Sequence, residues 1–204
     1  MKARNPFHVL EDKRTSIPPH QRLGLTTFIN PYSYLFYLRK TSLFSKFDYI
    51  EIDGILLVKL LNLFMDKNAK YYRKSFDMTS MAKELFYRCE ETGKTLFFIG
   101  SSKKSIEGFV RTINISFPIL YIVGYKDGFF GDSMLSVFEE ILRVSPDFVV
   151  AGMGTPLQET FLVELKQAGF KGSAFTCGGF IHQTAQRIEY YPPIVDRFNL
   201  RWLF

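Results

Sequence analysis

A chain of 204 residues, 47% hydrophobic and 17% aromatic, is that of a folded and not a disordered protein, long enough for one filled core and too short for two ordinary domains. The formal charge of +6 is scattered, apart from Lys103-Lys104 and the group Lys67, Lys70, Arg73, Lys74. No nucleic-acid-binding motif goes with it, so nucleic acid is a minor reading and no nucleic-acid partner is expected, against a phosphorylated substrate or an anionic membrane surface. No apolar run reaches the roughly 18 residues of a membrane span; the longest, Ile55 to Met65, is broken by Lys59 and Asn62. MKARNPFHVLEDKR lacks the apolar centre of a signal peptide. Cys89 and Cys177 are too few for a disulfide framework, and a cytoplasmic location is expected.

Residues 1–22 carry mixed charge, Pro18-Pro19 and no period, and read as an extended or loosely ordered N-terminal arm; residues 23–204 form the single domain. Leu25 to Ile29 reads as a strand. Asn30-Pro31 then caps and opens a helix through about Arg39. Asp48 to Ile52 is the next strand, ending on Asp53-Gly54. The helix Ile55 to Met65 is apolar nearly all round, which predicts burial on most sides. Asp77 caps a helix to about Glu91, closed by Gly93. Thr95 to Ile99 is a strand, and Gly100-Ser101-Ser102 turns into a helix to about Ile113. Ile119 to Gly124 is a strand whose loop, YKDGFFGD, leads to Asp132 as cap of a helix over 133–143.

The unit that follows is the most fully specified. Phe148 to Ala151 is a buried strand. Gly152 and Gly154 follow, with Thr155 at the N-cap, Pro156 at the first helical position and Gln158 as capping-box partner. Leu157, Phe161 and Leu165 repeat at four-residue spacing, with Leu162 widening the apolar stripe, and Gly169 ends the helix. Such a strand, glycine turn and helix start presents amides and a helix dipole to an anion, most commonly phosphate. Most such turns in α/β proteins bind nothing. Ser173 to Thr176 is a last short strand.

This alternation predicts an α/β fold: a single-domain, Rossmann-like, mostly parallel sheet with helices on both faces and ligands at the carboxyl ends of the strands. Asn30, Asp53-Gly54, Gly100-Ser101, Asp127-Gly128 and Gly154-Thr155 then line one edge of the sheet. Asp53, at a strand end beside a glycine, suits a general base and equally a helix cap. Glu51 and Asp53 have too little around them for a metal. Arg73 suits a bidentate diphosphate clamp or an ordinary surface arginine. Gln158 contacts a ligand or only completes its capping box. His182, after two glycines, is an acid/base, a phosphate donor or structural. His8 and His20 lie in the arm, so no metal-ligand cluster forms. There is no Walker loop, nucleophile elbow, paired-cysteine motif or GxGxxG after the first strand, and the last absence argues against a dehydrogenase.

Taken in order, IDGILL (52–57), RKSFDMTS (73–80), FFIGSS (97–102), IVGYKDGFF (122–130), GMGTPLQE (152–159), TCGGFIHQTA (176–185) and NLRWLF (199–204) resemble the WecG/TagA/CpsF family of bacterial glycosyltransferases. The resemblance runs from about Thr27 to Phe204. It implies transfer of a sugar (N-acetylmannosamine, its uronic acid or another hexose) from a UDP-sugar to an undecaprenyl-diphosphate-linked acceptor. The reaction would invert the anomeric centre without a metal or other cofactor. It would serve teichoic acid, capsule or exopolysaccharide synthesis at the inner face of the plasma membrane, where the protein would be peripheral.

By the same resemblance Asp53 is the base, with Asn30 near it. Arg73 and Gln158 hold the donor diphosphate and nucleotide, and Gly128, Gly154, Thr155 and His182 belong to the substrate site. The sequence departs from the family in having Phe28 in place of a threonine and His182 in place of an acid. Relatives often continue beyond the position of Phe204 into a basic, membrane-binding appendage. Either docking falls to another surface, such as the helix Tyr32 to Leu38, or the chain is shortened. A catalytically weak UDP-binding subunit of an assembly complex is the alternative reading. Uncovered aromatic residues leave room for self-association into a homo-oligomer, and the sequence does not disclose the oligomeric state.

Overall fold

The computed structural model describes residues 5–64, 70–131 and 134–185. Six strands form one sheet: β1 (Leu25–Ile29), β2 (Tyr49–Ile52), β3 (Thr95–Gly100), β4 (Tyr121–Lys126), β5 (Phe148–Gly152) and β6 (Ser173–Thr176). Their order is β2-β1-β6-β5-β3-β4, and every strand pairing is parallel. β1, β5 and β6 are buried along their whole length, because helices cover both faces. Expected and observed strands agree to within two residues at each end. The predicted cap Asp132, Met65, Lys67 and the block 199–204 lie outside the described residues.

One layer comprises α1 (Pro6–Asp12), α2 (Pro31–Arg39), α3 (Thr41–Phe44), α4 (Ile55–Phe64), α7 (Met134–Val144) and α8 (Leu157–Gln167), which share a core with Ile29, Val149 and Ala174. The other layer comprises α5 (Met81–Thr92), α6 (Lys103–Ser116) and α9 (Phe180–Thr184). Much of the aromatic content goes to this second core. The Phe86 ring meets Phe98 edge-on at 5.9 Å and Phe117 at 5.4 Å, while Phe76 meets Phe180 at 5.7 Å. These are favoured quadrupole geometries.

Four local expectations change. Asp77 does not cap α5: the helix begins at Met81 behind Ser80, and the Asp77 carboxylate accepts from Thr79 instead. The segment read as a loosely ordered arm contains α1, capped by Asn5 and burying Val9 and Leu10. It ends at Arg22, which is buried and donates to Glu51 at 2.5 Å. A period needs more turns than α1 has, so charge and prolines dominated the pattern. Next, α4 is not buried on most sides: Leu57, Val58 and Leu61 face the core, whereas Leu56, Leu60, Leu63 and Phe64 face outward. Finally, Thr155 does not cap α8. The Thr155-Pro156 bond is cis, Pro156 holds the cap position, and the side chains of Thr155 and Gln158 turn inward to Glu159.

Candidate active site

Adjacent strands β1 and β6 send their following helices to opposite faces, α2 to one layer and α9 to the other. At such a switch point the strand ends diverge and leave a crevice. A cleft of about 760 Å³ opens there, over the carboxyl ends of β2, β1, β6 and β5. Asn30, Asp53, Arg73, Gly154, Thr155 and Gln158 all line it. The starts of α2, α4, α8 and α9 meet at its wall, at Pro31, Ile55, Gln158 and Phe180. Their first-turn amides and dipole ends can meet an anion, beside the charged side chains Asp53, Asp77 and Arg73.

Asp53 follows β2 directly, and its amide donates to Ile29 O at 2.8 Å. Arg73 reaches it from a segment that behaves as a seventh, one-residue strand. Arg73 bridges Ile52 in parallel register, Lys74 N donates to Ile52 O at 2.9 Å, and Asn62 of α4 exchanges two hydrogen bonds with Tyr71. The guanidinium is thereby fixed with Nε 3.3 Å from Asp53 Oδ1 and one terminal nitrogen 3.1 Å from Asp77 Oδ2. Asp77 is held in turn by Ser75 and Thr79. Among the described residues that line the cleft, Arg73 carries the positive side chain. Glu51, beside Asp53 in sequence, is turned away and buried between Arg22 and Lys74.

Asn30 spends its side-chain oxygen on capping α2, accepting from Ser33 N at 2.8 Å while Ser33 Oγ accepts from Asn30 N. Its amide nitrogen is the group left to meet a ligand. Gln158 is buried; its carbonyl accepts from Gly178 N at 3.2 Å and its amide donates to Glu159 at 3.0 Å. Glu159 was missed by sequence reasoning. It is fully buried, and its Oε1 accepts from Thr27, Thr155 and Gln158 at 3.0–3.2 Å. Its Oε2 is buried without a hydrogen-bond partner. Burial pushes this carboxyl above the ordinary range; hydrogen bonds, that from Gln158 foremost, oppose the shift only in part. A carboxyl in the first turn of α8 was visible in the sequence, but its burial was not. Phe28 forms an apolar wall of the cleft, edge-on to Phe76 at 6.2 Å.

The structure does not bring Gly128 or His182 to the cleft. A Cβ on Gly128 would lie 3.1 Å from Met153 Cγ and 3.2 Å from Gly100 Cα, and Gly128 N donates to Ser101 O at 2.8 Å. That loop packs on the β3 end and fills the space above it. His182 sits on the outward face of α9, with Nδ1 3.1 Å from Ser105 Oγ of α6. One residue on, about 100° around the helix, Gln183 lines the cleft instead, as do Gly178 and Gly179.

The arrangement is an α/β fold with an arginine, two acids and four helix starts facing one crevice. The chain belongs to the WecG/TagA/CpsF family of glycosyl transferases, whose model matches residues 8–204. It is 37% identical over 197 residues to a Shigella boydii protein named UDP-Gal:alpha-D-GlcNAc-diphosphoundecaprenol beta-1,4-galactosyltransferase, covering 96% of this chain and 78% of that one. It is 31% identical over 122 residues to an N-acetylglucosaminyldiphosphoundecaprenol N-acetyl-beta-D-mannosaminyltransferase of Bacillus subtilis (strain 168), covering 60% of this chain and 47% of the other. A Bacillus spizizenii protein of the same name is 26% identical over 188 residues, covering 92% and 68%. The protein is a glycosyltransferase. No helix among the described residues is long and apolar enough to cross a membrane.

Proposed function

We propose that the protein transfers a hexose from a UDP-sugar to N-acetylglucosaminyl-diphosphoundecaprenol, at the inner face of the plasma membrane, in cell-surface polysaccharide synthesis. The observation that carries this reading is the Asp53–Arg73 pair at the cleft where four helices begin. The names of the similar proteins supply the acceptor. Because the relative that is 37% identical is named for UDP-galactose, galactose is the donor sugar to test first, ahead of N-acetylmannosamine and its uronic acid.

In this reading Asp53 accepts the proton of an acceptor hydroxyl as that oxygen bonds to the anomeric carbon. The carbon's bond to the UDP oxygen breaks with its electron pair going to UDP, so a single displacement inverts the centre. Arg73 and the amides at the starts of α2 and α8 meet the charge that develops on the diphosphate. They can do so without a metal, which makes the reaction metal-independent. Asn30 orients the acceptor beside Asp53, and Gln158 holds the Gly178 backbone against the nucleotide.

The test is a panel of UDP-sugars with a short-chain N-acetylglucosaminyl-diphospholipid, following UDP release and the linkage formed. Release with UDP-galactose and a β-linked product, abolished by Asp53→Asn, supports the reading. Donor binding without release under any pairing would overturn it.

A further inference from the structure

The residues that line the cleft on one side, Tyr32 and Leu56, also begin two apolar surfaces that nothing among the described residues covers. On α4 the outward stripe is Leu56, Leu60, Leu63 and Phe64, at the spacing of one helix face and about 12 Å long at 1.5 Å per residue. Leu63 and Phe64 are 72% and 78% exposed. On α2 it is Tyr32, Leu35 and Leu38. The two helices start side by side: Gly54, at a φ of +89°, has room for a Cβ only 3.2 Å from Pro31 Cδ. The apolar faces therefore diverge from one point, the rim of the cleft.

Their charge is one-sided. Residues 31–46 and 54–64 contain no Asp or Glu, and carry Arg39, Lys40, Lys46 and Lys59, all exposed. Other helices are different: α5 mixes Lys83 and Arg88 with Glu84, Glu90 and Glu91, α6 mixes Lys103, Lys104 and Arg111 with Glu107, and within the same layer α1 carries Glu11 and Asp12, α7 Glu139 and Glu140, and α8 Glu164. Exposed leucine and aromatic side chains flanked by unopposed lysine and arginine match an anionic bilayer, where apolar groups enter the acyl boundary and cations meet the headgroups. A second copy fits poorly, since a two-fold contact through this face would set like charges against one another.

We propose that the outward faces of α2 and α4 are the surface on which the protein sits on an anionic lipid bilayer, with the rim of the cleft at Tyr32 and Leu56 held against the headgroups. The part of this inference that concerns the acceptor rests on the function proposed above: the diphosphate of a lipid-linked acceptor would lie at headgroup depth, level with the cleft.

The experiment is flotation of the full chain with vesicles of phosphatidylglycerol and phosphatidylcholine, and of phosphatidylcholine alone, across salt concentrations. The variants are Leu60→Glu/Leu63→Glu and, on the other helix, Leu35→Glu, none of which lines the cleft. Circular dichroism and melting temperature report folding, and sedimentation reports the oligomeric state. The expected result is flotation with anionic vesicles that weakens as salt rises and falls at least about tenfold in each variant, with folding intact. UDP release with a short-chain acceptor in solution should be unchanged. Wild-type protein that does not float, or variants that float as well as wild type, would overturn the proposal. So would a wild-type dimer that Leu60→Glu/Leu63→Glu splits while flotation persists, since a second copy would then cover the face. Variants that lose flotation when no acceptor supports transfer would leave the docking surface standing and overturn the proposed reaction instead.

Discussion

The carboxyl edge of this sheet has two halves built from the same parts and put to different ends. Over β2, β1, β6 and β5 the loops part and leave a cleft. Over β3 and β4 the loops close. Gly100, at a φ of +138°, lies so close to Gly152 that a Cβ would meet its carbonyl oxygen at 2.2 Å, and Gly128 packs on Gly100 and Ser101. Both halves offer strand, glycine and helix start. Helices leave adjacent strands for opposite layers in both halves, at β1 and β6 as at β3 and β5, so the difference lies in the loops: the one after β4 packs on the β3 end and fills the gap there. A glycine at a strand end is therefore not evidence of a ligand; it serves close backbone approach equally well.

That contrast can be tested from its strongest point down. Asp53→Asn, nearly isosteric and still able to accept from the arginine, should lower the rate of transfer by about 10²–10⁴-fold while donor binding, followed by calorimetry, changes little. Retained transfer would move the base elsewhere. Arg73→Ala should cost about 10²–10³-fold and weaken UDP binding, with Arg73→Lys between it and wild type, because lysine keeps the charge and loses the fork. Equal UDP affinity in all three proteins would remove Arg73 from the donor site.

Glu159→Gln tests the buried network beneath the cleft. Folding raises the Glu159 pKa, so the folded state holds the proton more tightly than the unfolded one. Its contribution to stability is present below the unfolded carboxyl pKa of about 4.3 and is lost as pH rises through the raised folded value. Urea midpoints should thus shift in favour of Glu159→Gln as pH rises from about 5 to about 8; a gap constant with pH would show that the carboxyl is not held neutral. The smallest effect belongs to the closed side of α9. His182→Ala should leave donor affinity and transfer within about twofold of wild type, as expected of a surface change worth about 0.5 kcal/mol. A large loss there would mean that the site extends to α6.

Much of this was legible in the chain. The strand runs Leu25 to Ile29, Phe148 to Ala151 and Ser173 to Thr176 are β-branched or aromatic and bounded by turn residues, and they stand where expected. Asn30-Pro31 caps α2 as its residue types require, and Gly93 ends α5 in the left-handed region. Asp53 could be singled out because a strand end in a parallel sheet faces the ligand side. Arg73 could not be joined to it by local pattern, since its position depends on a bridge to Ile52 across some twenty intervening residues. Glu159 was hidden for a different reason: a glutamate in a first helical turn is ordinarily solvated, and only the convergence of Thr27, Thr155 and Gln158 makes its burial tolerable.

By itself, then, the sequence determined the α/β alternation, the parallel sheet, the Asn30 cap of α2, the Gly93 stop of α5 and the acid at the end of β2, because each is carried by short stretches of the chain. Tertiary structure alone decided which strand ends part and which close, where Arg73 comes to rest, that His182 faces α6 while Gln183 faces the cleft, and that half of the apolar helix α4 is left uncovered by the other described residues. Those outcomes depend on strand order and on which layer each helix joins, and periodicity along a chain carries no information about either.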